Sequence, residues 1–172
     1  MNRKKYGFVF CLLVVIAMIS LGTVSIYVNH EEKKEATEQL RVVTSFYPMY
    51  VAAMNVTDSC ESVTLENLSE PQTGCLHDYQ LTPDDMVLLS KADVFIINGG
   101  GIENFLSEVA SRYPNLTIIE AGEGIEMSGE NAHLWMDTEK YQKQVQNIAK
   151  GLAEADSANA EIQSLYDSHL YS

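Results

Sequence analysis

The chain of 172 residues is acidic, since 24 aspartate and glutamate residues stand against 11 lysine and arginine residues and give a formal net charge of -13. This balance argues against a nucleic-acid-binding protein, because contacts with phosphate groups need a basic face. An acidic surface keeps a protein soluble and mildly attracts cations, and by itself it identifies no ligand.

The N-terminus combines a short basic stretch with a long apolar run. Residues 7–28 contain no charged side chain and reach the length of about 20 residues that a helix needs to cross a membrane, whereas the apolar region of a signal peptide has about 7–15 residues. We therefore expect residues 1–28 to form a membrane anchor, with cleavage after the small residues 23–25 as the alternative. Because lysine and arginine favour the cytoplasmic side, residues from about His30 onward should face the extracellular or periplasmic side of the cell membrane.

The next segment, residues 29–40, is rich in glutamate and lysine and is interpreted as a charged tether. After the anchor and the tether are subtracted, roughly 130 residues remain, which is enough for one domain with a core of its own. We assign residues 41–153 to this domain. Residues 154–172 are predicted to begin a further helix, with Asp156 as its cap.

The domain alternates predicted strands with predicted helices. The predicted strands are short β-branched or apolar runs, over residues 42–46, 62–68, 93–98 and 116–119. The predicted helices follow them, over residues 47–56, from residue 83 onward, and over residues 102–112 and 138–153. This regular alternation indicates an α/β fold with a four-stranded, mainly parallel sheet flanked by helices. Such sheets bind ligands at the carboxyl ends of their strands, where loops lead into helices.

The helix that begins at Pro83 has the clearest start in the sequence. Thr82 is a suitable N-cap, because its hydroxyl can accept a hydrogen bond from an N–H group of the first turn. Pro83 in the first helical position loses no donor that the helix needs. Asp84 and Asp85 place negative charge at the positive end of the helix dipole.

Two histidines lie in loops that lead from a predicted strand into a predicted helix, His77 before the helix at Pro83 and His133 before the last long helix. Neutral imidazole is a common ligand of zinc and other late first-row metals. The neighbouring Asp78 and Asp137 could accept a hydrogen bond from the ring nitrogen that does not bind the metal. From the residues alone, a metal site and two loop histidines that cap helices remain equally open.

Four motifs occur in the order in which one protein family carries them. They are residues 43–48 (VTSFYP), residues 77–79 (HDY) followed by Thr82 and Pro83, residues 92–101 (ADVFIINGGG) and residues 131–135 (NAHLW). With these motifs in register, roughly residues 41–165 resemble the solute-binding proteins of ABC transporters for zinc and manganese. The resemblance implies two α/β lobes joined by a long helix, with one metal ion held between them.

The resemblance also implies roles for particular residues. This chain corresponds to the N-terminal lobe, in which His77 and His133 supply two of the metal ligands. Zinc is the expected metal, with manganese as the alternative, and an ABC transporter permease is the expected partner. The protein is then an extracytoplasmic solute-binding protein and not an enzyme.

The chain departs from the family pattern at its end, where the helix between the lobes should be under way. Residues 154–172 are therefore expected to begin that helix, and the C-terminal lobe with its two ligands is expected to be absent. A truncated fragment that binds metal weakly is one alternative, and a metal-dependent hydrolase built on the two histidines is another. The apolar surface around Leu76, Tyr79 and Leu134 would then be exposed, which favours self-association.

A second departure from the family pattern is Cys75, two residues before His77. It is a possible third metal ligand, because alternate residues of an extended segment point to the same side. Two other interpretations are a buried thiol and a disulfide with Cys60, which an oxidising exterior permits. Cys11 lies early in the apolar run, too early for a lipid-attachment site.

Overall fold

A computed structural model describes residues 14, 16, 18–20, 39–58, 60–68, 76–129, 131–156, 163, 164 and 167, with the side chain of residue 77 excepted. They belong to two compact units, residues 1–38 and 39–172. In the first unit, residues 14, 16 and 18–20 are helical, and most of the predicted anchor and tether lies outside the described residues. No helix in the described part of the chain combines the length and apolarity needed to span a bilayer. The division into anchor, tether, lobe and following helix stays a prediction.

The second unit contains a sheet of four strands in which every neighbouring pair is parallel. The strands are β1 (Leu40–Thr44), β2 (Val63–Asn67), β3 (Val94–Ile97) and β4 (Thr117–Glu120), in the order β2-β1-β3-β4. The predicted α/β fold with a four-stranded parallel sheet is thus confirmed. Because the connections after β1 and β3 lead to opposite sides of the sheet, the carboxyl ends of these two strands border the crevice where such folds bind ligands.

Four helices flank the sheet, namely α1 (Tyr47–Val56), α2 (Pro83–Leu89), α3 (Leu106–Arg112) and α4 (Thr138–Ala155). The prediction that a helix begins at residue 102 is wrong, since α3 begins at Leu106. The reason is that Ile102 is buried in the core and Glu103 turns its carboxylate back to the end of β3. Asp156 ends α4, because its N–H donates to the carbonyl of Leu152 at 3.1 Å. Its predicted role as the cap of the next helix stays a prediction, since residues 157–162 lie outside the described residues.

The sheet divides the core into two clusters, because successive residues of a strand face opposite sides. On one side, Val42 and Ile96 belong to the cluster that includes buried residues of α1 and α4. On the other side, Val43 and Phe95 belong to the cluster that includes buried residues of α2 and α3. All four residues of β3 are buried, as expected for an apolar run that is covered on both faces.

Candidate metal centre

The loop that carries His133 is fastened to the carboxyl end of β3 by Asn98. This residue follows β3 directly and has no exposed surface. Its Nδ2 donates to the carbonyl oxygen of Ala132 at 2.9 Å and to that of Gly99 at 2.9 Å, while its Oδ1 accepts from Nε2 of Gln144 in α4 at 2.9 Å. A buried amide that is satisfied on both sides has one orientation only. Ala132, the residue before His133, is therefore held at a defined place beside the carboxyl end of β3.

The imidazole of His133 has a defined tautomer. Oδ1 of Asn131 lies 3.1 Å from the backbone nitrogen of His133 and 2.8 Å from its Nδ1. Since this atom accepts from a backbone N–H, it is the amide oxygen, and Nδ1 must be the second donor. In the neutral ring, Nε2 then carries the lone pair that a metal ion needs, in the manner of metal-binding histidines whose other nitrogen donates to a neighbour.

Asn131, and not Asp137, is therefore the hydrogen-bond partner of Nδ1 of His133. The Asp137 carboxylate is used as the N-cap of α4, where Oδ1 accepts from the N–H groups of Glu139 at 3.0 Å and Lys140 at 3.2 Å. The sequence contained one local signal for Asn131. The side-chain oxygen of an asparagine commonly accepts a hydrogen bond from the backbone N–H two residues further along the chain.

The His133 ring packs against the ring of Trp135, which in turn packs against Phe46. The ring of Trp135 lies with its centroid 5.0 Å from that of His133, and it meets Phe46 edge-on at 4.8 Å with an interplanar angle of 76°. Phe46 follows β1 and is completely buried. Such aromatic contacts are directional, so the core below the loop also restricts where the imidazole can point.

The other histidine loop ends in a well-defined helix start. His77 lies in the short 3-10 turn Leu76–Asp78. The predicted N-cap at Thr82 is confirmed and forms a capping box, in which the Thr82 hydroxyl accepts from the N–H of Asp85 and the Asp85 carboxylate accepts from the N–H of Thr82. The hydroxyl of Tyr79 donates to the same carboxylate at 2.9 Å. The chain just after His77 is therefore fixed on α2.

The structure leaves the assembly of His77, His133 and Cys75 as a prediction, because Cys75 and the side chain of His77 lie outside the described residues. Among the side chains that are described, no group of three or more histidine, cysteine, aspartate or glutamate residues could hold a metal ion. The predicted disulfide also stays a prediction. Its other member, Cys60, is buried with Sγ 3.1 Å from Oγ of Ser62.

The predicted exposed apolar surface is wrong in its composition. Leu76 is completely buried, Leu134 is 2% exposed, and Tyr79 is only partly exposed. Leu76 and Leu134 pack inward because each is the first residue of a 3-10 turn and its side chain points into the core. Met136, in the turn that follows His133, is exposed instead, with 78% of its surface accessible. The expectation of self-association loses its support from the three named residues.

Glu103 is a buried acid near the carboxyl ends of β1 and β3, and the sequence patterns do not reveal its position. It is 4% exposed, and its carboxylate accepts hydrogen bonds from Oγ of Ser45 at 2.8 Å and from the N–H groups of Asn98 at 2.7 Å and Gly99 at 3.1 Å. Burial raises the pKa of the Glu103 carboxyl above its ordinary value, and these hydrogen bonds partly offset the rise. A lone glutamate after a glycine run gives no local pattern from which this contact could be predicted.

Known proteins are similar to this chain in sequence and in fold. Residues 42–166 match the family model described as ZnuA, zinc-uptake complex component A, periplasmic. The manganese-binding lipoprotein MntA of Halalkalibacterium halodurans is 31% identical over 166 residues, which are 92% of this chain and 53% of the relative. The high-affinity zinc uptake system protein ZnuA of Bacillus subtilis is 26% identical over 145 residues, which are 72% of this chain and 44% of the relative.

Solved structures of metal-binding proteins have a similar fold. The metal-dependent lipoprotein YcdH of Bacillus subtilis has a TM-score of 0.66 and 26% identity, over 77% of this chain and 51% of that chain. A manganese-bound mutant of the periplasmic metal-binding protein of Candidatus Liberibacter asiaticus has a TM-score of 0.66 and 25% identity, over 76% of this chain and 51% of that chain. The chain thus spans about half the length of the relatives that it matches.

The fold and the loops near the carboxyl ends of its strands define a lobe of a solute-binding protein. The chain belongs to the family of zinc-uptake component A, the substrate-binding proteins of zinc and manganese ABC transporters. The members of this family are solute-binding proteins and not enzymes, so the comparisons give the alternative of a metal-dependent hydrolase no support.

Proposed function

We propose that this chain is a metal-capturing lobe of an extracytoplasmic solute-binding protein and that it delivers a divalent metal ion to the permease of an ABC importer. The cargo is zinc, with manganese as the alternative. The observation that carries the proposal is the orientation of His133, whose Nδ1 donates to Asn131, so that in the neutral ring Nε2 carries the lone pair. Its loop is fastened to the carboxyl end of a parallel sheet, where such folds bind ligands.

His77 and His133 are the proposed ligands from this lobe, and Cys75 is a possible third. A tetrahedral zinc site has four ligands, so the two imidazoles supply half of it. The resemblance to two-lobed proteins implies that the remaining ligands come from a second lobe. Imidazole ligands favour zinc, and additional carboxylate ligands would favour manganese. A chain that supplies two or three ligands alone is expected to bind zinc less tightly than a complete site.

A metal titration followed by the fluorescence of Trp135 tests this proposal. The chain has one tryptophan, and its ring lies 5.0 Å from the ring of His133. Co²⁺ that binds at His133 should quench its emission, because a paramagnetic ion with visible absorption lies next to the indole, and Zn²⁺ should reverse the quenching by competition. Mg²⁺, which prefers oxygen ligands, is the control and should change nothing. An emission that does not respond to Co²⁺ would contradict the proposal.

We further propose that residues 1–28 anchor the protein in the cell membrane, with the metal-binding lobe on the outer side. The basic start and the uncharged run over residues 7–28 support this topology. Several curated relatives are named lipoproteins, which are held at a membrane by another means. A tether of either kind raises the effective concentration of captured metal near a permease.

Membrane fractionation tests the anchor. The protein should sediment with membranes and stay there after a high-salt wash, because apolar burial is insensitive to ionic strength while surface attraction is screened. Intact-mass measurement of the purified protein then distinguishes an uncleaved anchor from a signal segment. Release into the soluble fraction, with the mass of a chain that begins near Ile26, would contradict the membrane anchor. Such a result would still agree with export.

A further inference from the structure

We infer that Glu103 is a positioning residue for His133, which it controls through Asn98 and the carbonyl group of Ala132. The inference rests on the proposed function, since it treats His133 as a metal ligand. Glu103 does not reach the imidazole itself. It holds the turn after β3 in the conformation from which the Asn98 side chain fastens the His133 loop.

The first step is the way in which Glu103 is held. A buried carboxylate is costly unless hydrogen bonds or an opposite charge compensate it. Within the described residues no lysine, arginine or histidine forms an ion pair with Glu103. Its partners are three donors, namely the Ser45 hydroxyl at the end of β1 and the N–H groups of Asn98 and Gly99 at the end of β3. The carboxylate therefore joins the two strands that border the crevice.

The second step is the turn that Glu103 stabilises. Gly99, Gly100 and Gly101 have φ angles of 82°, 64° and 84°, in the left-handed region that glycine alone adopts at little cost. Three glycines in succession have many alternative conformations, so some other contact must select this one. The bonds from Glu103 to the N–H groups of Asn98 and Gly99 fix the start of the turn.

The third step connects the turn to the metal ligand. Asn98 donates through its side chain to the carbonyl group of Ala132, which directly precedes His133. The turn also packs closely on Ala132, since a Cβ atom added at Gly100 would lie 2.9 Å from the Ala132 Cβ. A shift of Asn98 or Gly100 must therefore move the backbone that leads into His133.

The chemistry requires a carboxylate at position 103. Both oxygens accept, Oε1 from Ser45 and Asn98 and Oε2 from Gly99. Glutamine has the same shape, but only one of its two terminal atoms accepts a hydrogen bond. Its NH₂ group would face the N–H of Gly99, so that two donors would meet in a buried place. Glu103→Gln should therefore loosen the turn without creating a cavity.

The test compares Glu103→Gln with two controls in the full 172-residue chain. Glu108→Gln makes the same chemical change at an exposed position of α3, and Val109→Ala destabilises the cluster on the other face of the sheet, away from the His133 loop. We expect Glu103→Gln to weaken Co²⁺ binding about tenfold, the lower end of the effect of residues that orient metal ligands. Both controls should bind Co²⁺ as the unmodified chain does.

A second readout needs no metal. In the metal-free protein, the NMR signals of the His133 ring should shift in Glu103→Gln and stay in place in both controls. Should Glu103→Gln fail to fold, Ser45→Ala decides, because it removes one of the three donors and should produce a smaller change of the same kind. Unchanged Co²⁺ affinity in the folded variant, or an equal loss in Val109→Ala, would overturn the inference. If the unmodified chain binds no Co²⁺, the proposed function fails, and the His133 signals still decide on Glu103.

Discussion

His133→Ala should weaken the binding of Zn²⁺ to this chain about 100-fold. Zinc binds to a structural site with four ligands with a free energy of about 10–16 kcal/mol, so one ligand accounts for about 3 kcal/mol of it. This value corresponds to about two powers of ten in the dissociation constant. Competition with a chromophoric chelator measures this change directly. The same loss is expected for His77→Ala if both imidazoles bind one ion.

Two further variants show whether the loss is specific to a metal ligand. His169→Ala removes a histidine outside the two loops and should leave the affinity unchanged. Asn131→Ala removes the acceptor for Nδ1 of His133 and should weaken binding about tenfold, because the ring loses its orientation and not its lone pair. Asn131→Asp keeps an acceptor and should retain most of the affinity. A Zn²⁺ affinity that survives His133→Ala would exclude this residue as a ligand.

Phe46→Ala should lower the free energy of unfolding by about 3–5 kcal/mol, the usual cost of removing a buried phenylalanine side chain. Phe46 is completely buried in the cluster that α1 and α4 cover. It also supports Trp135 edge-on at 4.8 Å, so the cavity would lie directly below the His133 loop. Urea denaturation followed by far-UV circular dichroism gives the change in stability.

Met54→Ala is the matched control for this variant, since Met54 lies in the neighbouring helix α1 and is 46% exposed. Substitutions at such positions change stability by about 0.5 kcal/mol or less. Phe46→Leu should recover part of the loss, because leucine fills part of the volume. Equal effects of Phe46→Ala and Met54→Ala would show that the core below the loop does not depend on Phe46.

Much of the fold could be predicted because its signals are local. The four residues of β3 are all apolar and all buried, as a strand covered on both faces requires. Thr82, Pro83 and Asp85 act within one helical turn, and the predicted helix start formed with both bonds of the capping box. Regular alternation of strands and helices was enough to predict the parallel sheet. The signal for each strand and each helix depends on residues that lie within a few positions of one another.

The sequence by itself therefore determined the class of fold, the family and the two histidine loops. The tertiary structure alone decided what holds the loops, because those contacts join distant residues. Ser45 and Glu103 are 58 positions apart, and Asn98 and Ala132 are 34 positions apart. It also decided that Leu76 and Leu134 face inward, although both lie in loops. Periodicity and capping describe neighbours along the chain, whereas the burial of a carboxylate or a loop leucine depends on what the folded sheet brings beside it.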